Sequence, residues 1–85
     1  MMEQVQNEIR IIRLPEVCHI CGIARATLYK RVKNGVFISS ISLGGQAVGW
    51  VESEVKIVLK ALIRGDTEEQ LKNLIIDLTN QRKDI

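Results

Sequence analysis

Four cations, Arg25, Lys30, Arg31 and Lys33, fall in one short stretch, and no acidic residue occurs between His19 and Val51. Guanidinium and ammonium groups crowded together without counter-charges suit one kind of chemistry: they hold a polyanion through charge-assisted hydrogen bonds. The other reactive side chains offer less. Cys18-His19-Ile20-Cys21 supplies two thiols and the chain's single histidine, whereas a structural zinc site takes four protein ligands. Cys18 and His19 are adjacent, so they point to different sides of a helix. The two cysteines therefore read as reduced, core-forming thiols, with no metal and no cofactor expected. Glu52 and Glu54 are two positions apart, diverge on a helix, and read as favourable charges at a helix start. The sequence carries no second histidine, no serine-based triad spacing and no phosphate-cradling loop, and it reads as a non-enzyme.

The cationic stretch needs a scaffold, and its flanks supply the signals for one. Pro15 suits a first helical turn, where its missing N–H costs nothing. Val17, Cys18 and Cys21 form an apolar stripe, and Gly22 ends that helix as a left-handed cap. A second helix is predicted over Arg25–Lys33, with Leu28 and Val32 buried and Ile23 and Ala24 closing the turn beneath it. Ala26, Tyr29, Lys30 and Lys33 then face outward, and Asn34-Gly35 stops the helix. Such a helix-turn-helix, with a basic outer arc and small residues at its start, fits a DNA major groove about 12 Å wide. Arg25 is the candidate for base readout, with Thr27 and Lys30 secondary. Tyr29, Arg31 and Lys33 are assigned to the DNA backbone.

Beyond Gly35 the pattern changes period. Val36 to Trp50 reads as two short strands joined across Gly44-Gly45, since paired glycines supply the positive φ angles of a tight hairpin. A lone hairpin is marginal in water, so it should pack through Ile41, Val48 and Trp50, with Trp50 as a core anchor. A third helix begins near Val51, with Val55, Val58, Leu59, Leu62 and Ile63 as its apolar face and Arg64-Gly65 as its end. Asp66-Thr67-Glu68-Glu69 opens a fourth helix, whose stripe is Leu71, Leu74, Ile75 and Leu78. That stripe either packs back on Val58 and Leu62 or makes dimer contacts, and the second is preferred. Ile11-Ile12 reads as a short extended lead-in, and the tail Asn80 to Ile85 as frayed.

At 85 residues the chain is one small domain, near the lower limit for a self-sufficient core. Its 46% hydrophobic content argues against wholesale disorder. The net charge of +2 is unevenly spread. Six bases face three acids up to Trp50, and seven acids face six bases from Val51 onward. The front half is therefore the side for an anionic partner. The start of the chain lacks a signal-peptide pattern and no apolar run is long enough to span a membrane, so a cytoplasmic location is expected. The expected division is a flexible segment 1–10, a DNA-binding unit 11–64 and a C-terminal helix 65–85.

Three blocks carry a resemblance: R-L-P-E-V at Arg13–Val17, G-I-A-R-A-T-L-Y-K at Gly22–Lys30, and L-G-G-Q-A-V-G-W-V-E-S-E-V at Leu43–Val55. In this order they resemble the AlpA family of prophage-encoded DNA-binding regulators, which are similar to excisionases and to the winged-helix head of the MerR group. The resemblance runs from about Ile12 to Leu62. It implies a mainly α fold with a small β-hairpin, a winged helix-turn-helix whose wing is the hairpin Ile38 to Trp50. It places the recognition helix on Arg25, Ala26, Thr27, Tyr29 and Lys30. Two departures stand out. Ala24-Arg25-Ala26-Thr27 stands where the family usually has Ser-Arg-Ser-Thr, losing a helix cap worth about 1 kcal/mol. Ser42 and Gln46 stand where the family tends to carry Lys and Arg, so the wing keeps hydrogen-bonding groups for phosphates but loses charge.

The function implied is a sequence-specific regulator of transcription acting on double-stranded DNA, with integrase or RNA polymerase as further partners. Two alternatives remain: an excision factor that binds and bends DNA for an integrase, and a non-catalytic module whose basic face meets an acidic protein.

Overall fold

Pro15 in the first turn, a left-handed glycine after the last, and an apolar stripe between them make the segment after Arg13 helical. The computed structural model describes residues 9–85. In chain order the elements are β1 (Ile11–Ile12), α1 (Leu14–Cys21), α2 (Arg25–Lys33), β2 (Ile41–Gly44), β3 (Ala47–Val51), α3 (Glu52–Arg64) and α4 (Glu68–Gln81). A single 3-10 turn over Arg82–Asp84 follows. This is the mainly helical fold with a small antiparallel sheet that a winged helix-turn-helix requires. No helix among the described residues is long and apolar enough to cross a membrane. Most of the segment 1–10 lies outside the described residues. Arg10, at its end, is held, because its carbonyl accepts a hydrogen bond from Glu52 N at 2.8 Å.

The sheet has three strands in the order β1-β3-β2, both pairings antiparallel. The sequence marks the hairpin well: β2 and β3 meet at Ile41↔Gly49, Ser42↔Val48 and Gly44↔Ala47, with an irregularity between Ser42 and Gly44. Gly44 and Gly45 have φ of 104° and 56°, the backbone values that make this turn a place for glycine. The third strand is a correction. Ile11 and Ile12 are not a mere lead-in, for they pair with Val51 and Trp50 and make β3 the central strand. Gly49 lets β1 lie so close. A Cβ there would stand 2.5 Å from Ile11 Cγ2 and 3.3 Å from the Ile12 carbonyl oxygen. Gly49→Ala is therefore expected to destabilise the fold by about 1–3 kcal/mol through overpacking, read as a lower urea midpoint with unchanged slope.

The core is aliphatic around one indole. Ile12, Val17, Leu28, Phe37, Ile38, Trp50, Val55, Val58 and Leu78 form one buried cluster. Trp50 anchors it as expected, and its Nε1 donates to the Ile38 carbonyl at 3.0 Å. Phe37 and Ile38 reach the core from an irregular segment before β2, not from a strand. On α3 the buried residues are Glu54, Val55, Val58 and Ala61. Leu62 lies at the edge of this face, and Ile63 is 85% exposed, outside the stripe assigned to it. Small Ala61 takes the inward position one turn after Val58 and leaves room for α4 to approach.

That approach engages the stripe on α4. A capping box starts the helix: Gln70 N donates to Thr67 Oγ1 at 3.1 Å, and Thr67 N donates to Gln70 Oε1 at 2.8 Å. Leu71 and Leu78 are buried within the chain itself, and Leu74 and Ile75 pack against the same core. Leu71 and Leu78 thus spend their apolar surface inside the chain, while Leu74 and Ile75 stay half-buried.

The tail differs from expectation too. Instead of fraying after Asn80, the chain continues helically to Gln81 and is fastened by Arg82. Its guanidinium donates to Glu54 Oε1 at 2.6 Å, to Glu54 Oε2 at 3.0 Å and to the Ser39 carbonyl at 2.8 Å. Glu54 is 8% exposed, so it is a buried carboxylate with a bidentate partner, more than a charge at a helix start. Hydrogen bonding to Glu54 in turn pushes the Arg82 guanidinium above its ordinary pKa. Arg82→Ala leaves that carboxylate unpaired and is expected to cost about 2 kcal/mol, with Arg82→Lys restoring only part of it in thermal melts.

Candidate nucleic-acid interface

The turn between α1 and α2 determines where the cations point. Gly22 takes φ 67°, and Ile23 N donates back to the Cys18 carbonyl at 3.2 Å, which closes α1 and redirects the chain at once. Ala24 is extended and its carbonyl accepts from Leu28 N at 3.0 Å, so α2 begins at Arg25. Leu28 is fully buried and Val32 packs at the core's edge, which fixes the rotation of α2. With that stripe inward, Arg25, Ala26, Tyr29, Lys30 and Lys33 are exposed, and Thr27 and Arg31 are half-buried on the flanks. The helical period thus brings all seven recognition-helix candidates onto one element, five of them fully on its outer arc.

The electrostatics favour an anion. The first turn of α2 has no acidic residue, and Lys30, Arg31 and Lys33 lie in its last. Among the described residues, none of Arg25, Lys30, Arg31 and Lys33 has a carboxylate within 4.0 Å. Three of the acids have partners elsewhere: Glu52 sits 3.8 Å from both Arg10 and Lys56, Glu54 holds Arg82, and Asp66 holds Arg64. At the other end of α2, Ala24 supplies no side-chain cap. The first N–H groups of the helix therefore keep no side-chain acceptor from that position, and a phosphate oxygen is a suitable one.

Ser42 and Gln46 lie apart from α2, exposed at the tip of the hairpin. Ser42 Oγ accepts a bond from Gly44 N at 3.3 Å, which orients the hydroxyl while leaving its proton available. Beside them Leu43 is 42% exposed, an apolar tip residue that the alternating pattern did not single out. Arg13 is also exposed, at the junction of β1 and α1.

The two thiols pack against the edge of the core, as their place on the α1 stripe implies. Cys18 and Cys21 are both half-buried and unbonded. Burial pushes the Cys21 thiol up, the neighbouring Cys18 adds to this, and Arg31 opposes it. No group of three or more histidine, cysteine or acidic side chains is placed to hold a metal among the described residues.

The profile of the family described as prophage CP4-57 regulatory protein (AlpA) matches residues 10–57, the span that holds the sheet, α1, α2 and the first part of α3. The chain belongs to the AlpA family. An uncharacterized protein, ORF88, of Enterobacteria phage P4 is 43% identical over 56 residues, 66% of this chain and 64% of its own length. The chain thus spans just under two thirds of that relative. The DNA-binding transcriptional activator AlpA of Escherichia coli K12 is 36% identical over 56 residues, 59% of this chain and 80% of its own length. No solved structure matches the chain with significance. The AlpA match ends within α3, so the Glu54–Arg82 clasp and the packing of α4 lie partly or wholly outside it.

Proposed function

We propose that this AlpA-family chain is a sequence-specific DNA-binding regulator of transcription, of prophage or genomic-island type, with α2 in the major groove and the hairpin against the backbone. The observation that carries the reading is the outer arc of α2: cations with no acidic neighbour among the described residues, on a helix whose opposite face is locked into the core. The name of the E. coli relative supports it. Phosphate contacts supply affinity, and base edges supply specificity. Arg25, at the first helical position, is placed to reach guanine O6 and N7, and the Ala26 methyl suits a thymine methyl. Lys30 and Thr27 are next in line, while Tyr29, Arg31 and Lys33 face the phosphates. Ser42 and Gln46 donate to phosphates from the wing.

Selection of bound duplexes from a random pool gives the site, and Arg25→Ala then tests the reading. Affinity for the selected duplex is expected to fall by about 1–3 kcal/mol, with far less change on random duplexes. Equal losses on both would remove Arg25 from base readout. A footprint on natural DNA divides the finer roles: protection over promoter elements fits regulation, and tandem repeats beside an attachment site fit excision.

A further inference from the structure

Cys18 and Cys21 occupy the final turn of α1, directly beneath the turn into α2, and DNA binding as proposed above makes no use of them. Three positions apart on a helix, they share a face, with Cβ atoms about 5–6 Å from each other. A disulfide needs that separation to be about 3.5–4.5 Å, so closing one would distort the turn that Gly22 caps. The wider spacing suits an ion held between the two sulfurs. Both thiols are reachable from solvent yet packed against the apolar core, beside Ile20 and Ile23. Burial and the neighbouring Cys18 hold the Cys21 thiol above its ordinary pKa, and the Arg31 charge on α2 acts the other way, toward the thiolate.

We infer that Cys18 and Cys21 form a two-thiolate site for a soft cation of low coordination number, of the monovalent copper or silver class. The donor set decides the class. Zinc takes four ligands in a closed site, and His19, one position from Cys18, is exposed and turned off the shared face. Thiolates select soft ions, and a monovalent d10 ion is satisfied by two of them. The step balances without electron transfer: two neutral thiols and one monovalent cation give a bis-thiolate complex of net charge −1, and two protons leave to water. Arg31 stabilises that negative charge, as a cation beside a thiolate does. If α2 contacts DNA as proposed, loading the site draws Arg31 toward the complex and weakens its hold on a phosphate. The site itself does not depend on that.

The test uses the full chain without DNA, so it stands or fails separately from the DNA reading. Monovalent copper is titrated anaerobically against a chromophoric chelator, with the ultraviolet thiolate-to-metal band as a second readout. One ion per chain is expected. Cys18→Ser and Cys21→Ser, with folding checked by circular dichroism, should each bind at least about a hundredfold more weakly, and Arg31→Ala by roughly tenfold. His19→Ala should bind as the parent does. On the unsubstituted protein, bound copper should protect both cysteines from iodoacetamide together. Equal copper affinity in the parent and Cys18→Ser, protection of only one cysteine, or dependence on His19 would overturn the assignment.

Discussion

Trp50→Ala is expected to leave the chain largely unfolded near physiological temperature. The indole is 1% exposed at the centre of a core that is otherwise aliphatic apart from Phe37. Truncating a buried tryptophan costs about 3–5 kcal/mol in lost burial and cavity formation. A chain of this size has a total stability of only about 5–10 kcal/mol. Two further losses add to the first. The Ile38 carbonyl loses the Nε1 donor that holds it at 3.0 Å, and the pairing of Trp50 with Ile12 loses its packed side chain. A melting temperature lower by at least roughly 15 °C is the expected reading. Trp50→Phe separates the parts: it keeps most of the ring volume, leaves the Ile38 carbonyl unpaired, and should cost about 1–3 kcal/mol. If Trp50→Ala melted within a few degrees of the parent, the core described here would be wrong.

Replacing both Lys30 and Lys33 with alanine should have the larger effect on DNA binding, and of a different kind from Arg25→Ala. Both side chains are exposed on the last turns of α2 with no acidic neighbour among the described residues, so their removal disturbs little in the fold. Each phosphate contact made by a cation releases condensed counterions, and at about 50 mM salt each is worth roughly a factor of ten in affinity. The double variant should therefore bind on the order of a hundredfold more weakly to the selected duplex at low salt. The loss on random duplexes should be smaller, because Lys33 meets phosphates while Lys30 is also a secondary base reader. The slope of log affinity against log salt should become shallower by about 2. A loss confined to the selected duplex would move Lys33 as well to base edges. No loss at all would remove this end of α2 from the interface.

These two predictions rest on parts of the molecule that were unequally legible in the sequence. The helix α2 came through whole, because the spacing of Leu28 and Val32 fixes one face and Asn34-Gly35 fixes the end, both of them local signals. The hairpin came through for a similar reason, since Gly44-Gly45 carries its turn chemistry in the residues themselves. The failures involve distant partners. A two-residue strand has no period, so Ile11–Ile12 could be recognised as a strand only by knowing that Gly49 clears space opposite. Arg82 sits in a polar tail, and its partners Glu54 and Ser39 are 28 and 43 positions away. Ile63 was misplaced because an apolar run on α3 does not say which of its residues α4 will cover. The stripe Leu71, Leu74, Ile75 and Leu78 did not name its partner for the same reason, as an amphipathic stripe looks the same whether it packs on its own chain or on another.

The candidate interface was legible to the extent that it depends on helical period and on the missing acids. In the wing, Ser42 and Gln46 were legible, but the irregularity between Ser42 and Gly44 and the bond from Gly44 N to Ser42 Oγ were not. Neither has a mark in composition. The thiols of α1 pack against the core as their stripe implies, but only half-buried, for a related reason. Position on the stripe predicts the direction of a side chain, while the depth of burial depends on what lies opposite.

The most direct test of the central claim is a map of backbone amide shifts in the folded chain as a selected duplex is added at low ionic strength. The largest changes are expected at Arg25, Ala26, Thr27, Tyr29 and Lys30, with a second set at Ser42 to Gln46 and little along the outer face of α4. Shifts that spare α2 while moving α4 would contradict the account, as would a folded protein whose spectrum no duplex changes.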